Sequence, residues 1–140
     1  MDFLVIKNGR LVSFDQIEEC PKGTNETTTY FLEHKDVLES SVSFVSCHSQ
    51  TIGAIDGNGH VLIRGVKDLR RKFTAISNSV FHVAAINQEG YLWVQGQNWF
   101  GQLGLGDGID RKNLTQVLNH KFSSVSCGWE HTMAIDQEGY

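Results

Sequence analysis

The segment FHVAAINQEGY at residues 81–91 returns as EHTMAIDQEGY at 130–140, and in weaker form as QTIGAIDGNGH at 50–60. Aligned without gaps, Ala54, Ala85 and Ala134 superpose, as do Ile55, Ile86 and Ile135, and then Gly59, Gly90 and Gly139. The register continues upstream through Val42, Phe73 and Phe122, through Val45, Ile76 and Val125, and through Ser46, Ser77 and Ser126. A partial copy opens the chain, because GRLVSF at 9–14 matches GHVLIR at 59–64 and GYLWVQ at 90–95. Successive glycines of the series are 50, 31 and 49 residues apart, so two full units flank a shortened one. A chain with such a period cannot bury the apolar face of one unit alone and must stack its units.

Each copy reads as strand, tight turn, strand. A short alternating run such as FSSVSC or TMAID leads to a polar pair, a glycine and a second alternating run such as YLWVQ. The glycine closing NQEG or DQEG suits a hairpin position with positive φ, where a Cβ is unfavourable. Proline occurs only at Pro21, and no window keeps a 3.6-residue apolar stripe over three turns. The expected class is all-β. Units of about 40 to 50 residues made of short antiparallel strands are the signature of propeller blades.

Composition narrows the function classes. No apolar run approaches the roughly 18 residues of a membrane span, and the N-terminus MDFLVIKNGRLVSF lacks the basic-then-apolar order of a secretory signal. The reading is an intracellular chain, cytoplasmic or nuclear, with no membrane partner. Cys20, Cys47 and Cys127 cannot all pair with one another and show no CxxC spacing, so reduced thiols are expected. A formal net charge of -4 argues against nucleic acid as the main partner.

The residues VSCGWEHTMAIDQEGY, with LWVQGQNWFGQLGLG at 92–106 supplying the continuation, resemble the repeat of the regulator of chromosome condensation (RCC1) family. The matching positions are Cys127, Gly128, His131, Thr132, Asp136 and Gly139, and from the preceding unit Gly96, Asn98, Gly101, Gln102, Leu103 and Gly104. The resemblance is close over 73–140 and loose over 42–65, where Thr51 replaces the histidine of His82 and His131 and Lys67 replaces Asn98. It implies antiparallel blades, here an open arc of a nominally seven-bladed propeller, since closure takes about four to eight blades. The expected organisation is one repeat region over 1–140: a degenerate first blade to about 41, a shortened repeat 42–72, a full repeat 73–121 and the start of another at 122–140. The chain is read as part of a larger propeller, its open edges covered by more blades or by self-association.

The glycine-rich stretch at 96–108 invites a phosphate-loop reading. Asp107, however, stands where GxxxxGK[ST] requires lysine, and no GxGxxG spacing followed by a helix is present. It is expected to be a structural turn in which Leu103 and Leu105 pack inward, while Asn98 and Gln102 satisfy buried backbone groups. His82 and His131 recur once per unit and are expected to bond backbone carbonyls instead of a metal. Cys127, His131 and Asp136 have the residue types of a nucleophile, base and orienter, but Asn78, His82 and Asn87 fill the same places one unit earlier, so repetition explains them.

No catalytic, cofactor or metal site is therefore expected. The basic run KDLRRK at 67–72 reads as a solvated loop, with Arg70 and Arg71 the residues able to serve a partner. Trp99 and Trp129 are candidate interface anchors, whereas Phe100 is expected to pack between blades. The function that follows is a non-enzymatic protein-interaction module. The resemblance also implies two alternatives, nucleotide exchange on a small Ran-like GTPase and a ubiquitin-ligase scaffold fragment.

Overall fold

The computed structural model describes residues 2–7, 10–19, 28–36, 42–48, 51–64 and 66–140; Gly9, Cys20 and Pro21 lie outside the described residues. Every regular element among them is a strand. In chain order these are β1 (Asp2–Lys7), β2 (Arg10–Glu19), β3 (Thr28–Asp36), β4 (Val42–His48), β5 (Thr51–Asp56) and β6 (Val61–Ile63). Then follow β7 (Val66–Asp68), β8 (Phe73–Asn78), β9 (His82–Asn87), β10 (Tyr91–Gly96), β11 (Arg111–Cys127) and β12 (Thr132–Asp136). The chain divides into two compact units, Met1–Val42 and Ser43–Tyr140.

The first unit is an antiparallel meander ordered β1-β2-β3, with Phe3 opposite Phe14 and Phe14 opposite Glu33. The second holds a four-stranded sheet ordered β4-β5-β6-β7 and a five-stranded sheet ordered β12-β11-β10-β9-β8.

Strand β9 shows how the sequence builds this second unit. All six of its residues are buried, which a strand with one solvated face would not require. Its alternate side chains serve two cores: Val83 and Ala85 join Ile55, Val61, Ile63, Phe73 and Ile76, whereas Ala84 and Ile86 join Leu92, Val94, Leu103 and Val117. Small alanines on a central strand let both layers approach. Truncating a residue such as Phe73 in the first cluster would cost about 3–5 kcal/mol.

The repeated turn has a specific chemistry. Asp56 Oδ1 accepts the backbone N–H groups of Asn58 (2.9 Å) and His60 (2.8 Å). Asn87 Oδ1 does the same for Glu89 and Tyr91, and Asp136 Oδ1 for Glu138 and Tyr140. Gly59, Gly90 and Gly139 close these turns at φ of 86°, 92° and 93°, in the left-handed region where glycine carries no Cβ penalty. Burial pushes the Asp56 carboxyl up, but the Lys67 ammonium at 2.6 Å and the His60 and Asn58 N–H groups outweigh it and bring it down to about 2.

Repeat is joined to repeat by the same recurring atoms. Phe73 N–H donates to the Gly59 carbonyl (2.7 Å) and Phe122 N–H to the Gly90 carbonyl (2.8 Å). Ser46 Oγ accepts from Asn78 N–H, and Ser77 Oγ from Cys127 N–H. The aligned serines and glycines of the sequence are thus the bonds that set each unit against the next.

The shortened unit also has a plain cause. Between β10 and β11 the full unit carries the loop 97–110, whereas β6 and β7 meet directly, with Ile63 opposite Val66 and Arg64 turning at φ 49°. Strand β11 is continuous from one unit into the next: Arg111 faces Gly96 at one end, Cys127 faces Thr132 at the other, and between them Leu118 adopts φ 51°.

Candidate functional site

The loop 97–110 is organised by Asn98, which is fully buried. Its Oδ1 accepts from Leu103 N–H (2.9 Å) and its Nδ2 donates to the Asp107 carbonyl (2.7 Å) and carboxylate (3.0 Å). Its own N–H donates to Asp110 Oδ1, and its carbonyl accepts from Gly101 N–H. Gln102 Oε1 accepts from Phe100 N–H. Gly101, Gly104 and Gly106 reverse the chain at positive φ, and Leu103 enters the core at 1% exposure while Leu105 packs beside it. The Arg111 guanidinium bonds the Asp107 carboxylate (2.7 Å) and, with the Ile109 N–H, holds that carboxyl below its usual range. A fixed carboxylate here repels phosphate, so the geometry is a braced turn.

A buried polar chain fastens this loop to the next unit. His82 Nδ1 lies 2.9 Å from Ser79 Oγ and Nε2 lies 2.8 Å from Thr132 Oγ1. Thr132 Oγ1 in turn donates to the Gln102 carbonyl at 2.7 Å. Since that hydroxyl spends its proton on Gln102, it accepts from His82, which places the imidazole proton on Nε2. Nδ1 is then an acceptor for Ser79 O–H, and Ser79 Oγ accepts the N–H groups of Phe81 and His82. Burial, with a smaller effect from His131, lowers the His82 pKa. Two hydroxyls flank the ring, Ser79 from just before β9 and Thr132 from the start of β12, and a backbone hydrogen bond with His131 acts on it as well.

His131, in the same repeat position as His82, is exposed. Its ring lies against Gly128, where a Cβ would overlap the imidazole. Cys127 Sγ donates to the Ser77 carbonyl (3.2 Å), and burial pushes the thiol up. A raised, hydrogen-bonded thiol is a poor nucleophile. Among the described residues no group of three His, Cys, Asp or Glu is placed to hold a metal ion.

What this end of the sheet presents is apolar. Trp99 is 67% exposed, Phe100 66%, Ile109 65% and Trp129 58%. The loops carrying them are tied together: Gln97 N–H donates to the Phe81 carbonyl, Thr132 bonds Gln102, and the Trp129 ring sits edge-on to Phe81 (6.0 Å) and His48 (5.8 Å). Phe100 departs from its expected place between blades. Its neighbours Asn98 and Leu103 take the inward positions of the turn, which leaves Phe100 at the tip with Trp99. Ile109 carried no sequence signal beyond being a lone apolar residue in a polar run.

Arg70 and Arg71 lie elsewhere, in the segment between β7 and β8 that runs beside the opposite, Gly90 end of β9. Arg71 Nη1 bonds Asp68 (2.6 Å) and its guanidinium stacks 4.0 Å from the Trp93 ring centroid. The Arg70 side chain is exposed, its backbone N–H bonding Asp68 Oδ1. The four candidate partner-binding residues therefore divide between two places.

Residues 89–135 match the family model of the regulator of chromosome condensation (RCC1) repeat. Human WBSCR16 shares the fold at a TM-score of 0.68 and 21% identity, covering 94% of this chain and 41% of its own. Prp20p from Saccharomyces cerevisiae, a protein with binding properties toward Gsp1p and histones, gives a TM-score of 0.67 at 14% identity over 89% of this chain and 39% of its own. Yeast RCC1 (Prp20), in its complex with Kap60, gives 0.65 at 15% identity over 96% of this chain and 41% of its own. The chain thus spans about two-fifths of the length of the structures it resembles. No curated protein matches it by sequence.

Proposed function

We propose that this chain, which carries an RCC1 repeat in antiparallel propeller blades, is a non-enzymatic module that binds a protein partner through the loop end formed by 79–81, 97–110 and 128–131. The observation that carries the reading is the group of exposed Trp99, Phe100, Ile109 and Trp129 on loops braced by buried hydrogen bonds. Large aromatics that are already held in place lose little entropy on binding and are the residue types that dominate interface energetics. The titratable groups near them are committed to structure: His82 is locked by two hydroxyls and Cys127 by burial. The site of action is inside the cell, and no cofactor is required.

The test is affinity capture from a cell extract with wild-type chain and with the Trp99→Ala/Trp129→Ala double variant, after circular dichroism has shown equal folding. A partner retained by the wild type and lost by the variant supports the reading. Equal capture by both would remove the loop end from consideration.

Likeness to Prp20p favours one second reading, nucleotide exchange on a small GTPase. Accelerated release of labelled guanine nucleotide from such a GTPase by the chain would replace the binding-only reading; an unchanged release rate leaves it standing.

A further inference from the structure

The shortened unit leaves a groove that the loop end does not use. Where the full unit pairs five residues of β11 with β10, the short unit pairs only the three residues of β7 with β6. Beside that short strand, between β7 with its following segment and the β10–β11 hairpin of the next unit, lies a cavity of about 850 Å³. A smaller cleft of about 350 Å³ continues it, sharing Ile63, Arg64, Gln95 and Lys112.

The groove is basic in an acidic chain. Arg64, Lys67, Arg70, Arg71 and Lys112 line the larger cavity against the carboxylate of Asp68, and Arg111 and Asp110 line the cleft that continues it, although the chain as a whole carries a formal charge of -4. Arg71 is already oriented by Asp68 and Trp93, and Lys67 by Asp56. Among the described residues, the side chains of Arg70 and Lys112 have no hydrogen-bond or ionic partner. Val61, Ile63 and Leu114 form an apolar floor, and Val66 (73% exposed) and Leu69 (68% exposed) stand at the rim. Strand β7 is the last of its sheet, so among the described residues its outer backbone edge has no neighbouring strand.

We infer that this groove takes an extended acidic peptide segment of a partner protein, one whose carboxylates alternate with apolar side chains. This rests on the reading of the chain as a protein-binding module and names the chemistry of one partner segment. Alternation matches the site: one face of an extended peptide meets the apolar floor, the other meets the cations, and its backbone can pair with the β7 edge. The acidic remainder of the molecule favours a peptide over nucleic acid, because a polyanion of uniform charge meets repulsion wherever it leaves the groove.

The experiment is fluorescence anisotropy of the full chain with a labelled peptide of about ten alternating Glu and Leu residues, with the Gln-for-Glu peptide and labelled oligo-dT as comparisons. The Glu peptide is expected to bind more tightly than the Gln peptide and to weaken as salt rises. Arg70→Glu/Lys112→Glu, at two exposed positions, is expected to lower its affinity by about tenfold or more, while Trp99→Ala/Trp129→Ala leaves it unchanged. The inference is overturned by equal binding of the Glu and Gln peptides, by an unaffected charge-reversal variant, or by oligo-dT binding more tightly with the same sensitivity. Loss of peptide binding alongside a Trp-dependent captured partner would remove this groove only; loss of both would remove the module reading as well.

Discussion

His82 Nε2 donates to Thr132 Oγ1 across 2.8 Å, joining residues fifty positions apart in sequence and one repeat apart in the fold. Thr132 passes the bond on to the Gln102 carbonyl, so the glycine-rich loop, β9 and β12 share one buried chain of donors and acceptors. Such a chain is strong when every member is satisfied and costly when one is lost.

Thr132→Val keeps the shape and removes the hydroxyl. It leaves the His82 Nε2–H and the Gln102 carbonyl without this partner, so a loss of about 2 kcal/mol is expected in urea unfolding. Thr132→Ser restores the oxygen and should recover most of that loss. A valine variant as stable as wild type would show that the hydroxyl contributes nothing.

The same chain sets an acid limit. The His82 pKa lies below its ordinary 6.5 in the folded protein, chiefly because burial disfavours the charged ring; a second proton, on Nδ1, would also face a Ser79 oxygen that already accepts two N–H groups. Between the lowered value and 6.5 the unfolded chain binds more protons than the folded one. The stability contributed by neutral His82 is therefore complete above 6.5 and declines as pH falls through that window. Urea midpoints between pH 7.5 and pH 5 should fall in wild type and fall less in His82→Gln.

Much of this architecture is legible in the sequence, and the reason is repetition. Asp56, Asn87 and Asp136 align because each caps the same turn, and Ser46 and Ser77 align because each accepts an N–H from the following unit. Asn98 and Leu103 read as inward positions of a structural turn once the repeat resemblance is recognised, and both are buried. The outward place of Phe100 does not read this way: inward and outward positions of an irregular turn follow no period, and hydrophobicity alone favours burial. The Ser79 and Thr132 partners of His82 were hidden for a different reason. They come from separate elements, Ser79 from just before β9 and Thr132 from the start of β12, and the aligned Thr51 and His131 do not repeat the pair. The basic groove was invisible because it arises from what the short unit lacks.

Glycines in this chain divide by surroundings. Gly96 adopts φ 123°, and a Cβ there would overlap the Phe81 carbonyl oxygen and lie 2.7 Å from His82 Cα. Gly96→Ala combines backbone strain with collision against backbone, so a loss of about 3 kcal/mol or more is expected. Gly101 has φ 74° but open space around it, and Gly101→Ala should cost about 1 kcal/mol. Thermal melts of the two variants should separate clearly; equal melting temperatures would show that the collision at Gly96 is relieved by backbone movement.

Asn98 offers the sharpest test of the loop as a braced platform. Its side chain serves Leu103 and Asp107 at once, from a site with no solvent access. Asn98→Ala should leave those backbone groups unsatisfied, at a cost of about 2–3 kcal/mol. The loss should appear first as local opening, since the strands on either side keep their own ladder bonds. Hydrogen exchange is thus expected to accelerate over 97–110 while β9 remains protected. If β9 exchanges equally fast, the loop is part of the cooperative core. If neither changes, the bonds to Asn98 do not hold the loop, and Trp99 and Phe100 lose the rigidity on which their role as interface anchors depends.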